Sequence, residues 1–249
     1  FNQIGGGFMI PKIVHYCWFG ENDFSSKAKK CISSWYRYLN NYEFVLWNEK
    51  TFDVNSSEYT RKAYKMGKYA FVTDYVRLYA LYNFGGIYMD TDVEVLKPLD
   101  KFLQHRAFTG CESKEMCVTG IIGAERNHPW IKLLLDWYKN REFVSIRETN
   151  TLIITELTKR EYGWMPGNMH QVLKDDLHIY PFEVFCAKSL LTGNISKTEN
   201  TYTIHHFDGS WLSFDQKIKK SIILMGGKLL GEELLSEVIG KYIKLRDYL

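Results

Sequence analysis

The stretch Phe84-Gly-Gly-Ile-Tyr-Met-Asp-Thr-Asp-Val93 decides how this chain is read. Two glycines make a turn, Ile87 to Met89 form a short apolar strand, and two carboxylates follow one residue apart. Side chains on a strand repeat every two residues, so Asp90 and Asp92 project to the same side if the strand persists. A strand that ends in two negative charges needs a counter-ion. Hard oxygen ligands with room left for phosphate oxygens suit Mg²⁺ or Mn²⁺, so the stretch points to a metal–diphosphate site. A bare Asp-x-Asp on a solvated turn looks the same, and the neighbouring sequence has to separate the two.

Upstream, Ile10 to Phe19 reads as a buried strand ending at Gly20, and Ser25 to Tyr38 as a helix with a serine cap. Tyr42 to Trp47 is a second strand. Arg61 to Phe84 reads as two helices meeting near Gly67, with Gly85 as a left-handed C-cap. Downstream, Val93 to Leu96, Ala107 to Cys111, Val118 to Gly123, Ile179 to Phe185 and Tyr202 to His206 read as strands. Pro129 to Tyr138 and Thr149 to Arg160 read as helices. The lysine-rich end, Phe214 to Leu249, reads as helical with an interruption at Gly226-Gly227. This alternation predicts an α/β fold with a largely parallel sheet flanked by helices. Ligands in such sheets sit at the carboxyl ends of strands, where both Trp18-Phe19-Gly20 and Asp90-Thr91-Asp92 fall.

With 249 residues, 45% of them hydrophobic and 24% charged, the chain fits one large domain or a domain with an appended lobe. Residues 1–8 read as a cloning remnant before a native Met9, residues 9–213 as the catalytic domain, and 214–249 as a basic helical extension. A net charge of only +3 argues against a dedicated nucleic-acid binder. Five cysteines without a C-x-x-C pair fit a reduced, cytoplasmic protein. No apolar run reaches the roughly 18 to 20 residues of a membrane span, and no secretory signal peptide is evident. The 17 Tyr, 15 Phe and 7 Trp supply a ring-rich core or faces on which sugars and bases stack.

Asp74 and Arg77 lie three residues apart on the helix before the acidic pair and share a face. Ala70, Phe71, Val72, Tyr75, Val76, Leu78 and Leu81 make that helix apolar nearly all round, so the charges need partners. Arg77 offers a fork to a diphosphate, and Asp74 can accept hydrogen bonds from sugar hydroxyls. Near the C-terminus stands His205-His206-Phe-Asp-Gly-Ser-Trp211. Adjacent histidines on a strand point to opposite faces, so one of the two reaches a given site. Imidazole is an acceptable third ligand for Mn²⁺, and the Gly-Ser-Trp that follows supplies donors for phosphate oxygens.

Taken together, Ile10-Pro-Lys-Ile-Val-His-Tyr-Cys-Trp-Phe-Gly20, Asp74-x-x-Arg77, Gly85-Gly-Ile-Tyr-Met-Asp-Thr-Asp92 and the His-His…Ser-Trp end resemble the sugar-binding DXD glycosyltransferases of family 32. That group includes bacterial capsule and lipopolysaccharide enzymes and yeast mannosyltransferases. The resemblance implies a GT-A fold, a nucleotide-sugar donor, Mn²⁺ or Mg²⁺, and transfer with retention to a glycan or lipid-linked glycan in surface polysaccharide synthesis. It implies that Trp18 stacks on the base, that Asp74 and Arg77 hold the donor sugar and diphosphate, and that Tyr88 and Asp90 contact ribose or sugar. It further implies that Asp92 ligates the metal with His206 as third protein ligand, and that Ser210 and Trp211 bind the β-phosphate. A UDP-hexose is the expected donor, with GDP-mannose the alternative. The chain departs from the family pattern at Met165-Pro-Gly-Asn168 and Cys186-Ala187, which leaves the acceptor least defined.

Two rival readings fit less of the sequence. A haloacid-dehalogenase-type phosphatase would place Thr or Val where Glu94 stands. A carbohydrate-binding module would not need Asp74 and Arg77 beside the acidic pair. Glu112, Glu183 and Asp208 are the carboxylates open to a nucleophilic role. The tail lysines Lys217, Lys219, Lys220, Lys228, Lys241 and Lys244, mixed with Ile and Leu, suit either a solvated helix pair or peripheral contact with the inner membrane surface.

Overall fold

The computed structural model describes residues 10–117, 120–145, 149–209, 214–231, 234, 235 and 237. The chain begins with β1 (Ile13–Cys17), α1 (Ser26–Tyr38) and β2 (Glu43–Trp47). Ser25 caps α1 as the sequence predicts, its Oγ accepting from the Ala28 N–H at 3.1 Å. The predicted helix pair follows as α2 (Glu58–Lys65) and α3 (Tyr69–Phe84), hinged at Gly67 with φ +65°.

Gly85 and Gly86 then turn the chain into β3 (Gly86–Met89) and β4 (Val93–Val95). Gly86 has φ +111°, and a Cβ there would lie 2.6 Å from the Ile13 carbonyl oxygen. The second glycine is therefore a requirement of strand spacing as well as of the turn. The rest comprises β5 (Ala107–Ser113), β6 (Met116–Cys117), β7 (Ile121–Ala124), α4 (Pro129–Trp137), α5 (Asn150–Tyr162), β8 (Gln171–Leu173) and β9 (Leu177–Tyr180). It ends with α6 (Phe182–Phe185), β10 (Thr203–His205) and α7 (Phe214–Leu230).

The main sheet runs β2-β1-β3-β7-β5-β9-β8, with β6 alongside β5. β2, β1, β3, β5 and β9 point one way, and β7 and β8 run against them, so the sheet is mixed and mainly parallel. A small second sheet pairs β4 with β10, setting His205 opposite Val93.

Helices cover both faces. On one, α3, α4 and α5 bring Val76, Leu81, Trp130, Leu134 and Ile154 against Tyr88, Ile122 and Ile179. On the other, Trp35 of α1 and its C-cap residue Leu39 pack with Val14, Ile87, Met89, Phe102 and Phe108. The period of two thus sends Tyr88 to the α3 side and its neighbours Ile87 and Met89 to the α1 side. All five cysteines are buried free thiols.

Three expectations change. The strand predicted over Ile179 to Phe185 stops at Tyr180, because Pro181 offers no N–H to a ladder and instead precedes the short α6. The strand predicted from Val118 is described as β7 from Ile121. The predicted break at Gly226-Gly227 does not occur: α7 runs through it. A Cβ at Gly227 would lie 2.3 Å from the Leu191 carbonyl oxygen, so this glycine lets the helix approach the segment around Leu191.

Candidate functional site

The carboxyl ends of β1, β3 and β5 open into a cleft of about 2370 Å³, walled on another side by Ile223, Gly227 and Lys228 of α7. On its floor α3 presents Asp74 and Arg77, one turn apart and only 8% and 5% exposed. Arg77 Nη2 lies 3.1 Å from Asp74 Oδ1 and 3.3 Å from Asp90 Oδ1. Its guanidinium also sits 4.5 Å from the centre of the Tyr88 ring. The Tyr88 hydroxyl donates to Asp90 Oδ1 at 2.7 Å. Burial pushes the Asp74 carboxyl up to about 7, with Arg77 pulling it back. Burial also opposes the charge on Arg77, but Asp90, Tyr88 and Asp74 together outweigh it and the guanidinium stays protonated. Each of these buried charges depends on the others.

Asp92 sits one step further along. β3 ends at Met89, so strand alternation does not carry the pair. A turn closed by the Val93 N–H on the Asp90 carbonyl, at 3.0 Å, swings both carboxylates into the cleft instead. His205 Nε2 lies 3.4 Å from Asp92 Oδ1 and 3.9 Å from Asp90 Oδ2. The Asp208 N–H donates to Asp92 Oδ2 at 2.7 Å. Burial disfavours charge on the His205 ring, yet Asp92 overrides it and holds the imidazole well above its ordinary range. Burial works against the Asp92 carboxylate in the same way, and His205 outweighs it, keeping that group far below the usual range. Gly120 leaves the space for this ring, since a Cβ there would lie 2.9 Å from His205 Nδ1.

One ligand atom from each of Asp90, Asp92 and His205 falls within 4.8 Å of the other two. Two carboxylate oxygens and an imidazole nitrogen suit a divalent cation such as Mn²⁺, and the proton on His205 occupies the place of that positive charge. The sequence resemblance implied His206 as the third ligand, and the ring that faces these carboxylates is that of His205. His206 turns away, its Nε2 2.7 Å from Glu94 Oε2, while its N–H donates to the Asp92 carbonyl at 3.0 Å. Neighbours on a strand face opposite ways, and the β4–β10 register gives the cleft to His205.

Residues 25–109 match the family model described as the glycosyltransferase sugar-binding region containing a DXD motif. The match includes Asp74, Arg77, Asp90 and Asp92 and stops before His205. Residues 25–109 are thus similar to a DXD glycosyltransferase region. The chain is 29% identical over 130 residues to inositol phosphoceramide mannosyltransferase 3 of Schizosaccharomyces pombe, covering 49% of this chain and 35% of that protein. Inositol phosphoceramide mannosyltransferase 1 of the same organism is 29% identical over 110 residues, 40% of this chain and 33% of the relative. The chain thus spans about a third of the length of these relatives. Among solved structures, the PaToxG glycosyltransferase shares the fold with a TM-score of 0.50 at 19% identity, over 62% of this chain and 70% of that one. The architecture is GT-A-like, an α/β sheet flanked by helices.

Around this DXD region the other predicted residues take clear places. Trp18 lines the cleft just beyond β1, its indole N–H donating to the Asn22 carbonyl at 2.7 Å and its ring 4.7 Å from that of Phe24. Ser210 and Trp211 lie outside the described residues. Glu112, Glu183 and Asp208 all line the cleft. Burial pushes the Glu112 carboxyl up, and Glu183 accepts from Asn168 Nδ2 at 3.0 Å. Sequence reading overlooked Asn150, a buried amide that begins α5 and lines the cleft with Asp74, and Glu94 as the partner of His206. Glu94 had a readable signal, because it follows the acidic pair by two residues on an extended segment. Asn150 had none, since its place depends on how α5 packs.

Proposed function

We propose that the cleft binds a nucleotide-sugar through its diphosphate and transfers the sugar to a hydroxyl of a glycan or lipid-linked glycan. The observation that supports this reading most is the convergence of Asp90, Asp92 and His205 beside the buried Asp74–Arg77 pair. Once His205 gives up its proton to bind as a neutral imidazole, Arg77 faces Asp90 and Asp92 with room for a divalent cation and its diphosphate. Mn²⁺ or Mg²⁺ held by Asp90, Asp92 and His205 supplies the charge that a departing diphosphate needs. Arg77 fixes the Asp90 carboxylate and adds positive potential at the cleft floor. Asp74 accepts hydrogen bonds from the donor sugar, and Trp18 offers a face to the base.

In the retaining course proposed here, the bond from the anomeric carbon to the phosphate oxygen breaks. A bond to the acceptor oxygen forms on the same face, and the acceptor proton passes to a phosphate oxygen. The donor proposed is a UDP-hexose. GDP-mannose is the second reading, favoured by the mannosyltransferase names of the S. pombe relatives.

Calorimetry with UDP and GDP, with Mn²⁺ and with chelator, tests the donor site, and a hydrolysis screen over nucleotide sugars identifies the sugar. Metal-dependent nucleotide binding is expected, and Asp92→Asn should lower turnover by about 10²–10³-fold or more. Nucleotide binding indifferent to metal, or full activity of Asp92→Asn, overturns the assignment. A pure carbohydrate binder would show no nucleotide binding at all.

A further inference from the structure

The helix that walls the cleft turns an apolar ridge to solvent. α7 is seated through Leu224, whose Cδ2 would lie 3.4 Å from a Cβ at Gly193, and through Gly227 against the Leu191 carbonyl. On the side away from Gly227, Ile218, Ile222, Met225 and Leu229 recur at intervals of four, three and four residues, the spacing of one helix face. They are 44%, 58%, 60% and 79% exposed. Single exposed apolar side chains are ordinary, whereas a file of four on one helix face points to an interaction surface.

We propose that this ridge of α7 seats the protein on an anionic lipid surface, beside the mouth of the cleft. Charge supports the lipid partner: α7 carries Lys217, Lys219, Lys220 and Lys228 against the single acid Asp215. Helix periodicity sets the positions of Lys219 and Lys228 about a quarter turn to either side of the ridge. An apolar strip flanked by lysines is the pattern of a helix lying in the plane of an anionic interface. At 17 residues with those lysines, α7 is built to lie on a bilayer and not to span it. A second copy of the chain fits less well, because four side chains are few against the roughly 20–30 residues a side of a stable protein interface.

The position of α7 gives this contact a use. Ile223, Gly227 and Lys228 of the same helix wall the cleft, and Leu190 and Leu191 continue that wall. Ile223 and Leu190 are themselves exposed, so the apolar surface runs from the helix toward the cleft mouth. A bilayer against the ridge lies next to the cleft and holds lipid-borne hydroxyls near it. That use rests on the transferase reading of the cleft; the lipid contact itself does not.

Co-sedimentation of the full chain with vesicles of phosphatidylglycerol and phosphatidylcholine in equal parts, at about 0.1 M salt, tests the ridge. The chain should pellet with these vesicles and stay in solution with pure phosphatidylcholine. Ile222→Asp together with Met225→Asp should weaken binding at least about tenfold, since both side chains lose their burial in lipid. Neither residue lines the cleft, and an unchanged melting temperature shows that the variant is folded. Ile222→Ser with Met225→Ser is the milder pair if the added charges lower that temperature. Metal-dependent nucleotide binding, measured without vesicles, decides the transferase reading separately. The proposal is overturned if the parent chain does not pellet, because a second copy or its own C-terminal residues cover the ridge, or if folded double variants pellet like the parent.

Discussion

The two ends of the main sheet collect the same residue types and hold them in opposite ways. At the carboxyl end, Asp74, Arg77, Asp90, Asp92 and His205 are charged and mostly buried, and each is held by an opposite charge within 3.1–3.4 Å. At the amino end, His105, His170 and His178 are stacked rings around one rim carboxylate, with hydrogen bonds to neutral partners such as Tyr180. Burial makes the difference. A charge inside the protein persists only when paired, so the cleft end is a closed set of ions. At the rim His105 and His170 stay near water, and the buried His178 has the Asp176 carboxylate beside it. Histidine is therefore the partner of a buried carboxylate at one end and a stacked ring at the other.

The largest disturbance should come from Arg77→Met. It leaves Asp74 and Asp90 buried without their cation, at a cost of about 3–5 kcal/mol in urea unfolding, together with loss of transfer. A change below about 1 kcal/mol would mean that the cleft ions do not depend on one another.

A smaller effect separates packing from pairing. His15 lies on β1 beneath the Gly85 turn, donating from Nε2 to the Gly85 carbonyl at 2.8 Å and accepting the Trp47 indole N–H at 3.2 Å. Burial lowers this imidazole below its ordinary value of 6.5, against a raising hydrogen bond from Gly85. The unfolded chain then takes up a proton first as pH falls. The contribution of His15 is full above about pH 6.5 and is lost as pH drops toward the lowered native value, by at most about 1.4 kcal/mol per pH unit. Urea midpoints for the parent and His15→Gln, compared between about pH 7.5 and about pH 5.5, should show a flatter dependence in the variant. Identical slopes would remove His15 as a contributor.

The smallest effect belongs to the amino end. Asp176→Asn should cost no more than about 1 kcal/mol, because the amide oxygen still accepts from Arg106. A cost near that of Arg77→Met would erase the contrast between the two ends.

Much of this layout was readable in advance. The capped helix after Ser25, the helix pair hinged at Gly67, the double glycine and the acidic pair all depend on residues a few positions apart. The need of Asp74 and Arg77 for buried partners followed from the apolar helix around them, although the identity of the third partner, Asp90, did not. The Gly226-Gly227 pair misled, because glycine marks both a chain break and a close approach, and only the Leu191 carbonyl distinguishes them.

By itself the sequence determined the α/β alternation, the DXD region and the buried charge pair preceding it, since propensity, capping and side-chain period act over one or two turns. Tertiary structure decided that the His205 ring and not the His206 ring meets the Asp92 carboxylate, and that His105, Asp176 and His178 converge at the far end of the sheet. Both outcomes rest on strand register between segments far apart in the chain. A one-residue slip of that register would reverse every side chain it places.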